Sequence, residues 1–189
     1  MKILLLGHGR CGSTSLHLGL SDVLGLSPII EPFNKPLWDD YYQTNPPYTE
    51  GDLIPNDVIF KTINGPNFNN EWIIENYAKF DKVIMLIRSN IRETLISNES
   101  AKKHGYSNKY KSTGYMTKES ISYVSENYKW LFDFYTSTEH IHLIWYEDLY
   151  SNYDTASSVL KSSGIPLSDS QMKLLWDGYL NPIHRLRQV

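Results

Sequence analysis

Short apolar runs alternate along this sequence with longer stretches in which apolar residues recur every three or four positions. Continuous apolar runs predict buried strands, and the longer spacing predicts helices that bury one face. The predicted strands are residues 2–7, 57–61, 82–88 and 141–146, and the predicted helices are residues 13–25, 69–80, 90–103, 117–137, 153–164 and 168–180. This alternation predicts an α/β fold in which a mainly parallel central sheet is flanked by helices in three layers.

Two polar segments interrupt this pattern. Residues 32–56 are rich in Pro, Asn and Tyr, and residues 104–117 carry glycines and polar groups. Loops of this length in a compact domain often carry function, so we expect the first to be a long loop or lid and the second a mobile loop. The chain of 189 residues contains neither an internal repeat nor a linker, which predicts a single domain over residues 1–189.

Composition excludes several classes of protein. Aromatic residues make up 13% of the chain, which argues against a disordered protein. The net charge of -3, without blocks of like charge, argues against a nucleic-acid partner. The single cysteine, Cys11, excludes a disulfide framework and a multi-cysteine metal site. The apolar run at residues 3–6 is too short for a signal peptide or a membrane span, so the sequence predicts a cytoplasmic protein without a membrane partner.

Glycines and hydroxyl side chains follow the first predicted strand in the stretch "GHGRCGSTSL", residues 7–16, of which residues 7–12 are called the glycine loop below. Gly12 and Thr14 match the Walker A pattern, but Ser13 stands at its lysine position and Arg10 lies inside the loop. A glycine loop between a strand and a helix binds anions through backbone N–H groups and the helix dipole. Arginine adds a charge that can bind two oxygens at once.

The predicted strand over residues 82–88 ends in Arg88. A nucleoside triphosphatase needs a lysine on the phosphates and an acidic residue for Mg²⁺, and this sequence has neither at the corresponding positions. Arg88 indicates a second anion site instead. A small-molecule kinase or another nucleotide-dependent P-loop enzyme is an alternative, against which the missing lysine counts.

The stretch "GHGRCGSTSL" resembles the phosphosulfate-binding loop of the sulfotransferases that use PAPS (3′-phosphoadenosine 5′-phosphosulfate). Further segments resemble motifs of that family, in the family's order: "IFKT" with Lys61, "LIRSNIRETLIS" with Arg88 and Ser97, and "WYEDL" with Tyr146, followed by "GIPLS". The resemblance spans residues 3–168 and is nearest to the bacterial and carbohydrate-type enzymes. It implies the P-loop-type fold of that family.

The resemblance also implies roles for individual residues. PAPS carries a 5′-phosphosulfate and a separate 3′-phosphate, which matches the two anion sites. Arg88 and Ser97 would hold the 3′-phosphate, and Tyr146 would lie near the adenine. Arg10 and Lys61 would stabilise charge on the sulfuryl group and the leaving phosphate. The residues implied at the 5′ side are Gly9, Arg10, Cys11, Gly12, Ser13, Thr14 and Ser15. PAPS is the implied co-substrate, and its chemistry requires no metal.

The resemblance leaves the catalytic base to one of two segments. Familiar cytosolic sulfotransferases place the base in a K-T-H segment, but here Lys61 and Thr62 precede Ile63, which cannot accept a proton. Carbohydrate sulfotransferases often carry an E-P segment after the first helix, and Glu31 in "IIEPF" matches it. The resemblance therefore implies Glu31 as the candidate base. His8, inside the glycine loop, is a candidate to contact the ligand or acceptor.

The resemblance predicts transfer of a sulfuryl group to a hydroxyl acceptor, on a carbohydrate or a small metabolite. A non-catalytic relative that binds a glycan or PAP, the adenosine 3′,5′-bisphosphate left after transfer, is a second alternative. No motif in the sequence identifies the acceptor or the oligomeric state.

Overall fold

Five parallel strands form the sheet of the computed structural model, which describes residues 1–31, 53–63, 70–103 and 116–182. The strands are β1 (Lys2–Gly7), β2 (Ser27–Ile30), β3 (Val58–Ile63), β4 (Lys82–Ile87) and β5 (Ile141–Trp145). They lie in the order β2-β3-β1-β4-β5, and every neighbouring pair is parallel. The four predicted strands are present, and the residues before Glu31 form the edge strand β2.

Helices follow the strands as the sequence pattern predicts. They are α1 (Ser13–Leu24), α2 (Asn70–Asn76), α3 (Ile91–Lys103), α4 (Lys118–Ser137), α5 (Tyr146–Leu149), α6 (Tyr153–Ser162) and α7 (Asp169–Leu175). Local signals set several ends. Gly25 adopts a left-handed φ of 65° and ends α1, while the Thr117 side chain accepts a hydrogen bond from the Ser120 amide and starts α4.

Two helix ends and one strand end differ from the prediction in their hydrogen-bond pattern. Helix α2 ends at Asn76 because the chain tightens into a 3₁₀ turn over Tyr77–Lys79. Helix α7 ends at Leu175, and Trp176–Leu180 continue as a π-helical turn. Tyr146, predicted at the end of the last strand, starts the single turn α5 instead. In each case the backbone changes its hydrogen-bond pattern while the spacing of apolar residues continues, so that spacing could not predict where the change occurs.

Successive residues of the strands enter two separate cores. In β1, Ile3 and Leu5 belong to one core, and Leu4 and Leu6 belong to the other. The first core also contains apolar residues of α1, α6 and α7, and the second contains those of α2, α3 and α4. Since a strand alternates its side chains between two faces, a continuous apolar run is what a sheet covered on both faces requires. The predicted three-layer α/β fold is confirmed.

The strand order places a crevice beside β1. The chain leaves β1 toward β2 and β3 on one side, and then crosses to β4 on the other. In open parallel sheets, ligands bind at such a reversal, outside the carboxyl ends of the strands. The glycine loop follows β1 directly, so it lies at this reversal.

Parts of both predicted loops, residues 32–52 and 104–115, lie outside the described residues. The single domain over residues 1–189 stays a prediction. Within the described ranges, no helix has the length and apolar character that crossing a membrane demands.

We predict that His17 makes the fold sensitive to acid. Its ring is fully buried in α1 and its Nε2 donates to the Ile59 carbonyl at 3.0 Å; burial lowers the pKa of His17 to about 4. Well above pH 6.5 the ring is neutral in both the folded and the unfolded chain. As the pH falls toward 4, the unfolded chain takes up a proton and the folded chain does not. The free energy of unfolding should therefore fall, by up to ~3 kcal/mol from this group.

Urea unfolding at several pH values between 7 and 4 measures this effect. The His17→Gln variant keeps an N–H donor and should lose stability less steeply over this range. The exposed His140→Gln variant is the control and should follow the wild type. Equal slopes for His17→Gln and wild type would contradict the prediction.

Candidate functional site

The predicted site residues converge on one edge of the sheet because parallel strands end together. The glycine loop follows β1, and Glu31 follows β2. Lys61 lies near the end of β3, Arg88 follows β4, and Tyr146 follows β5. Ser97 comes from α3, the helix that follows β4.

The glycine loop places the start of α1 at this edge. Gly12 is the residue before the helix, with a left-handed φ of 78°, and its position carries no side-chain capping bond. Arg10 is also left-handed, with φ of 72°, which is uncommon for a residue with a side chain. The backbone N–H groups of Ser13, Thr14 and Ser15 begin the helix and are of the kind that binds anions.

The side chain of Cys11 anchors the glycine loop to the core beneath it. Its side chain is fully buried in the core that contains α1, and burial raises the pKa of the thiol. A Cβ atom placed on Gly7 would lie 2.8 Å from the Cys11 Sγ and 2.6 Å from the Leu86 carbonyl oxygen. The thiol therefore packs the loop against the sheet, and only the backbone of Cys11 is available to a ligand.

Arg10 and Ser97 are in direct contact. The Arg10 Nε donates a hydrogen bond to the Ser97 Oγ at 3.0 Å. The resemblance had assigned these residues to opposite ends of the donor molecule. Their contact joins the glycine loop to α3.

Arg88 is held on two sides. Its guanidinium forms an ion pair with the carboxylate of Glu93, and its Cζ lies 4.6 Å from the centre of the Tyr146 ring. The buried Nε of Arg88 has no hydrogen-bond partner. A partly exposed guanidinium with an unused buried donor is suited to receive a further anion.

Glu147 fixes the backbone beside Arg88. Its carboxylate accepts hydrogen bonds from the amides of Ser89 and Asn90, at 3.0 and 3.1 Å. Burial raises the pKa of Glu147, but these amide bonds together outweigh burial and lower it. The carboxylate thus stabilises the turn that leads from β4 into α3.

Tyr150 holds the glycine loop from the other end of the chain. Its hydroxyl donates to the Gly12 carbonyl at 2.6 Å, and its ring lies 4.6 Å from the ring of Tyr146. A Cβ atom on Gly12 would come within 2.8 Å of the Tyr150 ring and 3.0 Å of the Tyr146 ring. Sequence reasoning missed this residue, because the 138 positions between Tyr150 and Gly12 leave no local signal.

Lys61 and Glu31 form a buried ion pair. The Lys61 Nζ donates to the Glu31 Oε1, and both side chains are almost fully buried. The backbones are also joined, since the Glu31 amide donates to the Lys61 carbonyl at 2.7 Å. The candidate base and one candidate cation are therefore direct partners in this structure.

His8 is fully buried and neutral near pH 7. Burial lowers its pKa to about 4, although a hydrogen bond from Nδ1 to the Gly9 carbonyl, at 2.5 Å, opposes this change. The ring packs against Tyr123 and Tyr128, and the buried Nε2 has no hydrogen-bond partner. Because Nδ1 carries the proton that is donated to Gly9, Nε2 is left as an acceptor.

Comparison with known proteins finds likeness at the level of structure. No protein-family model matches the sequence, and a search of curated proteins gives no significant match. The crystal structure of the mouse sulfotransferase SULT7A1 complexed with PAP is similar, with a TM-score of 0.60 and 13% sequence identity. The alignment covers 94% of this chain and 63% of the mouse chain, so this chain spans less than two thirds of that length. At this identity the likeness shows a shared fold.

We predict that Gly12→Ala will be more destabilising than the same change at Gly25. Both glycines are left-handed, which costs alanine about 1–2 kcal/mol. At Gly25 the added Cβ meets nothing within 4 Å, whereas at Gly12 it meets the tyrosine rings, which adds about 1–3 kcal/mol. Urea unfolding of the two variants measures the difference, and equal losses of stability would contradict the described packing over Gly12.

Proposed function

We propose that this chain is a sulfotransferase that moves a sulfuryl group from PAPS to a hydroxyl acceptor. The observation that carries the proposal is the placement of two arginines at the ends of adjacent strands. Arg10 lies in the loop before α1 and Arg88 follows β4, and the Arg10–Ser97 hydrogen bond joins the two. A donor with a phosphosulfate at one end and a phosphate at the other fits two such sites. The shared fold with a PAP-bound sulfotransferase supports the same proposal.

The glycine loop would bind the 5′ side of the donor. The amides that begin α1 and the hydroxyls of Ser13 and Thr14 supply hydrogen-bond donors, with Gly9 and Gly12 allowing close approach of the backbone. Arg10 and Lys61 supply positive charge where the leaving phosphate develops negative charge. Transfer of this type depends on positioning and charge stabilisation, as phosphoryl transfer does.

Arg88 and Ser97 would bind the 3′-phosphate. Arg88 offers its buried Nε and the outer face of its guanidinium, and Ser97 offers the hydroxyl that now accepts from Arg10. The Tyr146 ring, already stacked under Arg88, offers a flat face for the adenine. This arrangement distinguishes PAP from a nucleotide that lacks the 3′-phosphate.

Glu31 would act as the base for the acceptor. In the reaction, the acceptor oxygen forms a bond to sulfur as the bond from sulfur to the phosphate oxygen breaks. The acceptor proton passes to Glu31 and then to water, and PAP leaves. The acceptor in this proposal is a carbohydrate or a small metabolite, the enzyme is cytoplasmic, and no metal takes part in its chemistry.

The small-molecule kinase alternative requires different residues. It predicts Mg²⁺-dependent turnover of ATP, which needs a lysine in the loop and a carboxylate at the end of β4. Ser13 and Arg88 occupy these positions. Turnover of ATP by the purified protein would favour this alternative over the sulfotransferase.

We predict that the protein binds PAP and that Arg88→Ala weakens this binding at least about tenfold. The loss of a charge-assisted, two-point contact with the 3′-phosphate is the physical reason. Calorimetry measures the affinities for PAP and for ADP in the wild type and in Arg88→Ala. The affinity for ADP, which has no 3′-phosphate, should not change. Lys129→Ala, on an exposed face of α4, is the charge-matched control and should bind PAP as the wild type does. Unchanged PAP affinity in Arg88→Ala, together with binding of ATP by the wild type, would show that the donor is wrongly assigned.

We predict that Glu31→Gln slows transfer by about a hundredfold or more, because a positioned base contributes about 10²–10⁴ to the rate. Screening a library of hydroxylated acceptors with labelled PAPS identifies a substrate for this measurement. Glu139→Gln, at the opposite edge of the sheet, is the matched control. PAP binding without transfer to any acceptor would favour the non-catalytic alternative, and full activity in Glu31→Gln would place the base elsewhere.

A further inference from the structure

The Lys61–Glu31 ion pair is buried where a stability argument alone does not account for it. The two side chains are 3% and 9% exposed. Removing two charges from water costs several kcal/mol per ion, and apolar replacements of such pairs are often as stable or more stable. A buried pair at the ligand-binding edge of a parallel sheet therefore points to a use for its charges.

Backbone geometry at Glu31 gives an independent sign of constraint. Glu31 has a φ of 44°, in the left-handed region that residues with side chains rarely adopt. This conformation costs about 1–3 kcal/mol and is typical of functional sites. It turns the chain at the end of β2 so that the carboxylate meets Lys61, whose strand neighbour is Ile30. The fold thus sustains both strain and charge burial to make this contact.

Lys61 lies beneath the glycine loop. In the sheet it is the neighbour of Leu5, on the same face as Ile59 and the helix α1. Lys61 is two residues from the end of β3, and the glycine loop follows the neighbouring strand β1 at the same edge of the sheet. Burial raises the pKa of the Cys11 thiol, and the Lys61 charge is among the groups that partly oppose that effect. An anion in the glycine loop would therefore give Lys61 a second negatively charged partner.

We infer that Lys61 passes from Glu31 to the bound donor, and that the base becomes available only when the donor is in place. This inference rests on the proposed function. In this structure the Lys61 ammonium is bound to the carboxylate that must accept the acceptor's proton. Donor binding draws the ammonium toward the phosphosulfate oxygens, where it stabilises the leaving phosphate. Glu31 is then released to take the proton of the acceptor hydroxyl as sulfur is transferred.

The inference predicts that Glu31→Gln binds PAP more tightly than the wild type does. Loss of the competing carboxylate should tighten PAP binding about tenfold, since Lys61 no longer has to leave a charged partner. Calorimetry with PAP measures the affinity, and Glu139→Gln should bind PAP as the wild type does. Equal or weaker PAP binding by Glu31→Gln would overturn the inference.

A double-mutant cycle separates exchange of Lys61 from simple repulsion between Glu31 and the ligand. If Lys61 changes partners, Glu31→Gln should tighten PAP binding in the wild type but not in a Lys61→Met background. Tightening of equal size in both backgrounds would mean that the carboxylate only repels PAP, and the inference would be wrong.

The Glu31→Gln variant leaves a buried ammonium without its carboxylate and could fail to fold. NMR spectroscopy of the wild-type protein tests the inference without that variant. In protein carrying ¹⁵N-labelled lysine, the Lys61 side-chain resonance is identified by its loss in Lys61→Met. This resonance should move on saturation with PAP, and a resonance that does not move would overturn the inference.

The outcomes also separate this inference from the proposed function. A wild-type protein that does not bind PAP would contradict the proposed function itself. A wild-type protein that binds PAP, with a Glu31→Gln variant that binds it no more tightly, would contradict only the exchange of Lys61.

Discussion

Parallel pairing of β1 with a strand on each side is the constraint on which the rest of the structure depends. Gly7, the last residue of β1, is opposite Ile63 of β3 and Leu86 of β4. The three strands therefore end within one residue of one another, and the groups at or after their ends share one edge. The close approach of Gly7 to the Leu86 carbonyl leaves no room for a side chain. The glycine loop takes its position from this register, and α1 takes its position from the loop.

Each cation of the described site has a partner within the protein. Arg88 is paired with Glu93, Lys61 is paired with Glu31, and Arg10 donates to Ser97. An anion at Lys61 would therefore compete with the Glu31 carboxylate, and an anion at Arg88 would share the guanidinium with Glu93. A small anion can replace one partner, whereas a molecule with two separated anions can replace partners in both sites after a single binding event. On the proposed function, a donor with two separated anions would therefore bind more tightly than inorganic phosphate.

The sequence was sufficient to predict the layers and the edge on which the site lies, and insufficient to predict how the site residues are paired. Apolar runs identify strands, and strand ends identify the edge, so Arg10, Lys61 and Arg88 could be placed from the pattern. The pairing of Lys61 with Glu31 depends on the register between β2 and β3, which the pattern of β2 does not specify. The amide bonds of Glu147 and the hydroxyl bond of Tyr150 join residues far apart in the chain, and they follow only from the completed fold. The spacing of apolar residues likewise did not predict the change to π-helical geometry at Trp176.

The hydrogen bond from Tyr150 to Gly12 has a consequence for the order of folding. The segment that forms the loop is synthesised before the hydroxyl that fixes the Gly12 carbonyl, which follows 138 residues later. The strands that flank β1 also come from much later in the chain than β1 itself. Contacts of such sequence separation form slowly, because the intervening chain must be ordered first. The glycine loop can therefore take its final geometry only after Tyr150 and both flanking strands have been synthesised.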